Sequence, residues 1–375
     1  MFYLCAVKSN SMKTSMHKYF LIIVISALVL FASNNATAQL QPAVADSFLH
    51  FIKANKERAS LYITRNDTII AYLNESQLMP LASTVKILVA VEFAKQVGNG
   101  VIDKNTWVPL DELDKYYLPN TDGNAHPKWL EYEKKNNHIS NDSVRLIDVA
   151  RGMIMFSSNA NTEYLMELLG LDNIKSNIGL FGLQHHTTIY PLAASLLMYQ
   201  NPKQLSEDKI LKAISKLNDD NYSKYVYSLH VQLKHNKTFK AYFRPQDLTM
   251  KMQELWSSRL PASTTKDYVH MANILNNRRF LNDSAYNIIR EVMEFPMENN
   301  AFKTVFKQYG VKGGSTAFVL THVIYLTTKT NNKMELAVFF NNLSPAEEKK
   351  LEGWLDAFEA SVIFDASFRK KLNFQ

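Results

Sequence analysis

Ser83-Thr84-Val85-Lys86 opens a strongly apolar stretch and is the first place where this chain could do covalent chemistry. Residues three apart on a helix share a face, so Lys86 is within reach of the Ser83 hydroxyl. Serine is a weak nucleophile until a neighbour takes its proton. A lysine embedded in apolar surroundings is partly desolvated, which disfavours its charged form and suits it to that task. At a helix start, free N–H groups and the positive dipole end also favour developing negative charge. The spacing alone is common: it recurs at Ser15/Lys18, Ser206/Lys209 and Ser263/Lys266, and a capped helix with a solvated lysine accounts for any one copy.

Two further patterns follow in order. Ser157-Ser158-Asn159 falls in a break between two expected helices. There Ser157 could relay a proton, and Asn159 could hydrogen-bond Lys86 or a substrate amide. Lys312-Gly313-Gly314 falls on an expected strand, where Lys312 offers fixed positive charge and the glycines allow close backbone approach by a ligand. Past residue 38, Ser-x-Asn occurs only at 157–159 and Lys-x-Gly only at 312–314. Ser263 has no Ser-x-Asn between it and Lys312, so only Ser83 heads the full series.

Ser-x-x-Lys, Ser-x-Asn and Lys-x-Gly in this order resemble the motif set of the class A β-lactamases, within the penicillin-recognising serine hydrolases. The resemblance spans nearly the whole chain after residue 38. It extends to the Leu-Leu-Gly helix end at 168–170 and to Arg244-Pro245-Gln246-Asp247, which looks like the family's Thr-Pro-x-Asp helix start. It implies that Ser83 attacks a carbonyl, in a β-lactam or an acyl-D-Ala-D-Ala-like peptide, and forms an acyl-enzyme. It casts Lys86 as proton acceptor and Ser157 as relay to the leaving nitrogen. Asn159, Lys312, Gly314 and Ser315 would bind substrate: Lys312 holds its carboxylate, and the backbone N–H groups of Ser83 and Ser315 form the oxyanion hole. No cofactor or metal is implied. The alternatives on this scaffold are a DD-peptidase or other amide or ester hydrolase, and a penicillin-binding sensor that deacylates slowly.

The sequence also departs from the family. Ser158 replaces an Asp. Gly313 replaces the Thr or Ser whose hydroxyl helps bind the substrate carboxylate; Ser315, two residues along and on the same face by alternation, is the candidate substitute. The family's Glu-x-x-x-Asn, whose Glu serves deacylation, has no counterpart after Asn159. Residues 184–191, where it should fall, contain no acid. Glu163 and Glu167, on the helix after Asn159, are the acids that folding could bring in. His185-His186 lacks the spaced partners of a metal site, and packing is the expected role of Tyr116, Tyr117 and Trp129.

The elements that must position these residues are readable in outline. A helix is expected over 43–56, strands over 60–65 and 68–73 around Asn66-Asp67, and a buried helix over 81–97 closing at Gly98 and Gly100. Asp142 could cap a helix running to Met155, and another runs over 161–169. Most of 203–295 reads helical. Strands follow at 305–313, 318–328 and 334–341, and then a last helix with Ser344 as N-cap, Pro345 first and Glu347 completing a capping box. Two early and three late strands imply an α/β fold of α+β type. A five-stranded antiparallel sheet from 39–80 plus 300–375 would be covered by terminal helices, with a mainly helical domain, 81–299, inserted.

The 375 residues are 46% hydrophobic with a formal net charge of +7. The basic residues are spread rather than clustered, which argues against nucleic-acid binding. Lys13 and Lys18, an apolar run from Tyr19 to Ala32 and Ala36-Thr37-Ala38 have the order of a secretory signal peptide over 1–38. The run is short for a lasting anchor, which needs about 20 residues. Residues 1–11 add nothing to it, so Met12 or Met16 would serve as start. Cleavage would remove Cys5, the only cysteine, and leave a periplasmic or secreted protein without thiol chemistry, expected as a monomer.

Overall fold

A computed structural model describes residues 35–374 apart from 202 and 237. The expected leader thus lies outside the described residues except at its end, where Asn35 begins the first helix, Asn35–Ala54. Among the described residues no helix is long and apolar enough to cross a membrane.

Five strands form the main sheet. Numbered in chain order they are β1 (Ala59–Arg65), β2 (Thr68–Leu73), β3 (Phe306–Thr316), β4 (Val319–Thr328) and β5 (Lys333–Phe340). Their spatial order is β2-β1-β5-β4-β3, antiparallel throughout, so the early hairpin joins the late strands through β1 and β5. The hairpin turn at Asn66-Asp67 uses two residues with positive φ, which short polar side chains tolerate.

Alternation along the central strands feeds two cores. Leu320, Ile324, Leu326, Leu336, Val338 and Phe340 face the terminal helices Asn35–Ala54 and Pro345–Phe364. There Phe48 stacks on Phe358 with ring centroids 4.5 Å apart and meets Phe340 edge-on. Val323, Tyr325, Ala337 and Phe339 face the helical part and share its core. The capping box at Ser344 and Glu347 is formed as expected.

The helical part is built around Lys86–Gly98, whose residues Ile87 to Ala94 are all buried. A single 3-10 turn, Ala82–Val85, precedes this helix, so Ser83 sits in the turn and Lys86 is the first α-helical residue. The next helices are Leu146–Met155 and Asn159–Leu169, with Ser158 capping the second. Pro245–Asp247 makes only a 3-10 turn; the helix after it starts at Met250 and is capped by Thr249. The helix Asp219–His235 belongs to the long helical stretch between the second and third motifs.

β3 carries the third motif, and its neighbours fix its place. Gly310 opposes Tyr325 on β4, and a Cβ on Gly310 would come within 2.1 Å of the tyrosine ring. Gly310→Val should therefore push β3 off β4 and destabilise the protein by about 1–3 kcal/mol. Chemical denaturation checks this; an unchanged midpoint would show that β3 is not held by this contact.

Candidate active site

The three motifs converge on Ser157. Its φ is +67°, a left-handed conformation that costs a non-glycine residue about 1–3 kcal/mol. In this conformation its carbonyl accepts a hydrogen bond from Lys86 Nζ at 2.7 Å. Its Oγ accepts one from Lys312 Nζ at 2.5 Å. Asn159 Oδ1 accepts a second bond from Lys86 Nζ, at 2.8 Å. Lys312 Nζ also donates to the carbonyl of Gly313 at 2.7 Å. Ala82, just before Ser83, is likewise left-handed, with φ +45°. Strain is thus stored on both sides of the site.

Lys86 is fully buried and Lys312 only 4% exposed. Burial lowers the Lys86 ammonium pKa to about 7, partly opposed by the negative charges of Asp122 and Glu163. Burial, with Lys86 as a like-charged neighbour, drives Lys312 well below the usual lysine range. The Lys86 bonds run to the second motif, and among the described residues Ser83 Oγ has no hydrogen-bond partner. A lysine has three donor positions, and two are used, so one remains open.

Gly314 brings β3 against that turn. A Cβ on it would meet Ser83 N at 2.5 Å, Thr321 Oγ1 at 2.8 Å and the Leu81 carbonyl at 2.9 Å. Only glycine lets the strand backbone run this close to the amide that would bind an oxyanion. On the same side of β3, Thr316 Oγ1 accepts a hydrogen bond from Ser257 Oγ at 2.8 Å. Gly313 and Ser315 face the other way. The Ser315 hydroxyl lies toward Glu348 of the last helix and lowers the pKa of that carboxyl. Opposite Gly313 lies His322, whose ring carbon would be 2.9 Å from a Cβ on that glycine.

The remaining expected residues separate clearly. Ser158 is fully buried; its Oγ contacts His126 Nδ1 at 2.9 Å and donates to Asn161 Oδ1 at 2.9 Å, a packing role for the residue that replaces Asp. Ser263 is fully buried in a short strand, whereas Lys266 is exposed, so that pair does not assemble a site. Tyr116 and Trp129 are core residues, and the Tyr117 ring packs at a tilt against His126. His185 N–H donates to Asp267, and the His186 ring contacts the Thr187 carbonyl and Tyr268. Among the described residues, the set that could hold a metal ion is Glu133, His138 and Asp148, none of them a motif residue.

The acid question has a structural answer. Glu163 is fully buried, and both its oxygens are engaged. One accepts the amides of Ala193 and Ala194 at 2.7 and 3.2 Å; the other meets His230 Nδ1 at 2.6 Å. Glu167 is tied to His230 and Lys234. The loop helix held by Glu163, Leu192–Leu196, contains no acid. Asp122, which belongs to none of the motifs, is the other carboxylate whose charge reaches Lys86. It accepts the amides of Ala125 and His126 at 3.1 and 3.0 Å and so caps a helix.

Gly314→Ala should block the site with little change elsewhere, lowering acylation of Ser83 at least about 100-fold. Mass spectrometry of the trapped adduct measures this. Retained acylation would mean that the Ser83 amide and β3 are not the oxyanion site.

A family model described as "Beta-lactamase enzyme family" matches residues 41–353. No curated protein matches the chain significantly. Among solved structures, a β-lactamase from Sphaerobacter thermophilus superposes with a TM-score of 0.52 at 16% identity, covering 84% of this chain and 96% of its own. A class A β-lactamase from Bacteroides cellulosilyticus gives 0.51 at 12% identity, covering 86% and 99%. PBP-A gives 0.50 at 13% identity, covering 87% and 97%. At these identities the likeness shows the fold.

Proposed function

Because the chain belongs to the β-lactamase enzyme family, we propose that it is an exported serine hydrolase that forms an acyl-enzyme on Ser83 and acts on β-lactams. The observation that carries this reading is the placement of Lys86: buried, with a pKa near 7, one turn after Ser83 and hydrogen-bonded to Ser157 and Asn159.

In this mechanism neutral Lys86 takes the Ser83 proton as Oγ bonds to the carbonyl carbon. The oxyanion is received by the Ser83 amide and the backbone beside Gly314. Ser157, its Oγ held by Lys312, relays the proton taken by Lys86 to the leaving nitrogen as the C–N bond breaks, which leaves Lys86 neutral and Ser157 protonated again. Water then attacks the ester: its oxygen bonds to the carbonyl carbon, its proton passes through Lys86 to Ser83 Oγ, and the ester C–O bond breaks. The apolar run at 19–32 supports export of the chain, and the spread basic charge supports a small-molecule substrate.

A second reading is favoured by the acid-free Leu192–Leu196 segment and the sequestered Glu163: a penicillin-binding protein or DD-peptidase that deacylates slowly. A variant of PBP-A has been solved as an acyl-enzyme complex with penicillin G. The two readings share the adduct and differ in turnover.

Benzylpenicillin should label Ser83 and leave Ser263 unlabelled in peptide mapping, and Ser83→Ala should take no label. Stopped-flow kinetics with a chromogenic cephalosporin should show a burst of about one product per enzyme and then a slow steady rate. Label on Ser263, or none, would refute the acyl-enzyme. Fast linear turnover without a burst would show that an efficient deacylation base exists.

A further inference from the structure

We propose that His322 is a substrate-binding residue: at the position where Gly313 lacks a hydroxyl, its Nε2 donates a hydrogen bond to a carboxylate on the leaving side of the substrate. This rests on the acyl-enzyme reading above and names the group that selects the substrate.

The geometry comes from two facing strands. Gly313 on β3 opposes His322 on β4, so their side-chain positions share a face. A Cβ on Gly313 would lie 2.9 Å from His322 Cδ2 and 3.4 Å from Nε2. The imidazole therefore fills the space that a Thr or Ser side chain would occupy there. His322 is only 5% exposed, and Nδ1 is bound to Glu359 at 2.5 Å. That bond fixes the ring. Nε2 has no protein partner among the described residues. With Nδ1 facing a carboxylate, a protonated ring keeps Nε2–H beside Gly313 as a charged donor, the form that binds carboxylates best.

Lys312 alone is a poor anion site. Its ammonium is buried, and two of its three donor positions go to Ser157 Oγ and the Gly313 carbonyl. Ser315, the other hydroxyl on this face, is turned toward Glu348, whose pKa it lowers. His322 is an unspent donor beside Gly313.

The charges around the ring set the pH dependence. Burial opposes protonation of His322, as does Lys312 on β3, but Glu359 and Asp356 on the last helix outweigh both and raise its pKa. On the β5 side it faces Val338, which carries no charge. Burial and neighbouring acids raise Asp356 and Glu348 to about 7. As pH rises past its raised pKa, His322 loses its proton, and these two acids gain negative charge as pH passes about 7. Both changes weaken a bound carboxylate, so anion recognition is strongest on the acid side.

The test compares benzylpenicillin with its methyl ester, which lacks the carboxylate charge, by the rate of Ser83 acylation. Taking the acid-to-ester ratio cancels the titration of Lys86, which acts on both. The wild-type ratio should fall from about pH 6 to about pH 8.5. His322→Ala should lower the acid's rate about tenfold or more and leave the ester within about twofold. Adding Gly313→Ser to His322→Ala should restore much of the ratio, because the space for a hydroxyl is then free. An unchanged ratio in His322→Ala overturns the assignment and leaves the acyl-enzyme intact. Adduct from neither compound refutes the acyl-enzyme instead. A readout that needs neither turnover nor a His322 variant is the NMR titration of the His322 ring in Ser83→Ala. Benzylpenicillin should raise its midpoint and the ester should not; an unmoved midpoint overturns the assignment.

Discussion

A lysine side chain sealed from water must either find a carboxylate or give up its proton easily. Lys86 finds no carboxylate in hydrogen-bond reach: its partners are a carbonyl and a carboxamide oxygen. Neutral acceptors hold the amine in place without paying back the desolvation of its charge, which is why its pKa settles near 7 rather than in the usual lysine range. Much of the surrounding structure serves this arrangement. The left-handed Ser157 aims its carbonyl at Nζ, the Ser158 cap starts the helix that presents Asn159, and the apolar core seals the nucleophile helix. Lys86 in turn repels a proton on the second buried amine, Lys312.

Features set by local spacing were legible from the sequence. The five strands, the capping box and the order of the three motifs all depend on periods of two or on offsets of two or three residues, which chain geometry fixes directly. Gly314 was readable as a point of close approach, although that its partner is the Ser83 amide is a tertiary fact. The start of the nucleophile helix was less legible. Ser83 lies in a 3-10 turn behind a left-handed Ala82, a strained start that apolar periodicity does not signal.

Long-range pairings were not legible. Glu163 is engaged by His230, 67 positions later, and by two loop amides, and no spacing rule connects them. That engagement removes the acid most easily imagined as a deacylation base. His322 was invisible for the same reason: its meaning comes from the register of β3 on β4 and from Glu359, 37 residues away on the last helix. The glycine at 313 reads as an isolated departure until the paired strands set it against His322. Asp122, outside every motif, is a helix cap whose charge also bears on Lys86.

The central claim is that burial, not a neighbouring base, keeps Lys86 ready to accept the Ser83 proton. The most direct test is to titrate the Lys86 Nζ signal by heteronuclear NMR in protein labelled at lysine nitrogen, assigned with Lys86→Arg. The account predicts a midpoint near 7. A midpoint near the ordinary lysine value of about 10.4 would contradict it, because Lys86 would then be a fixed cation throughout the neutral range and could not act as the base.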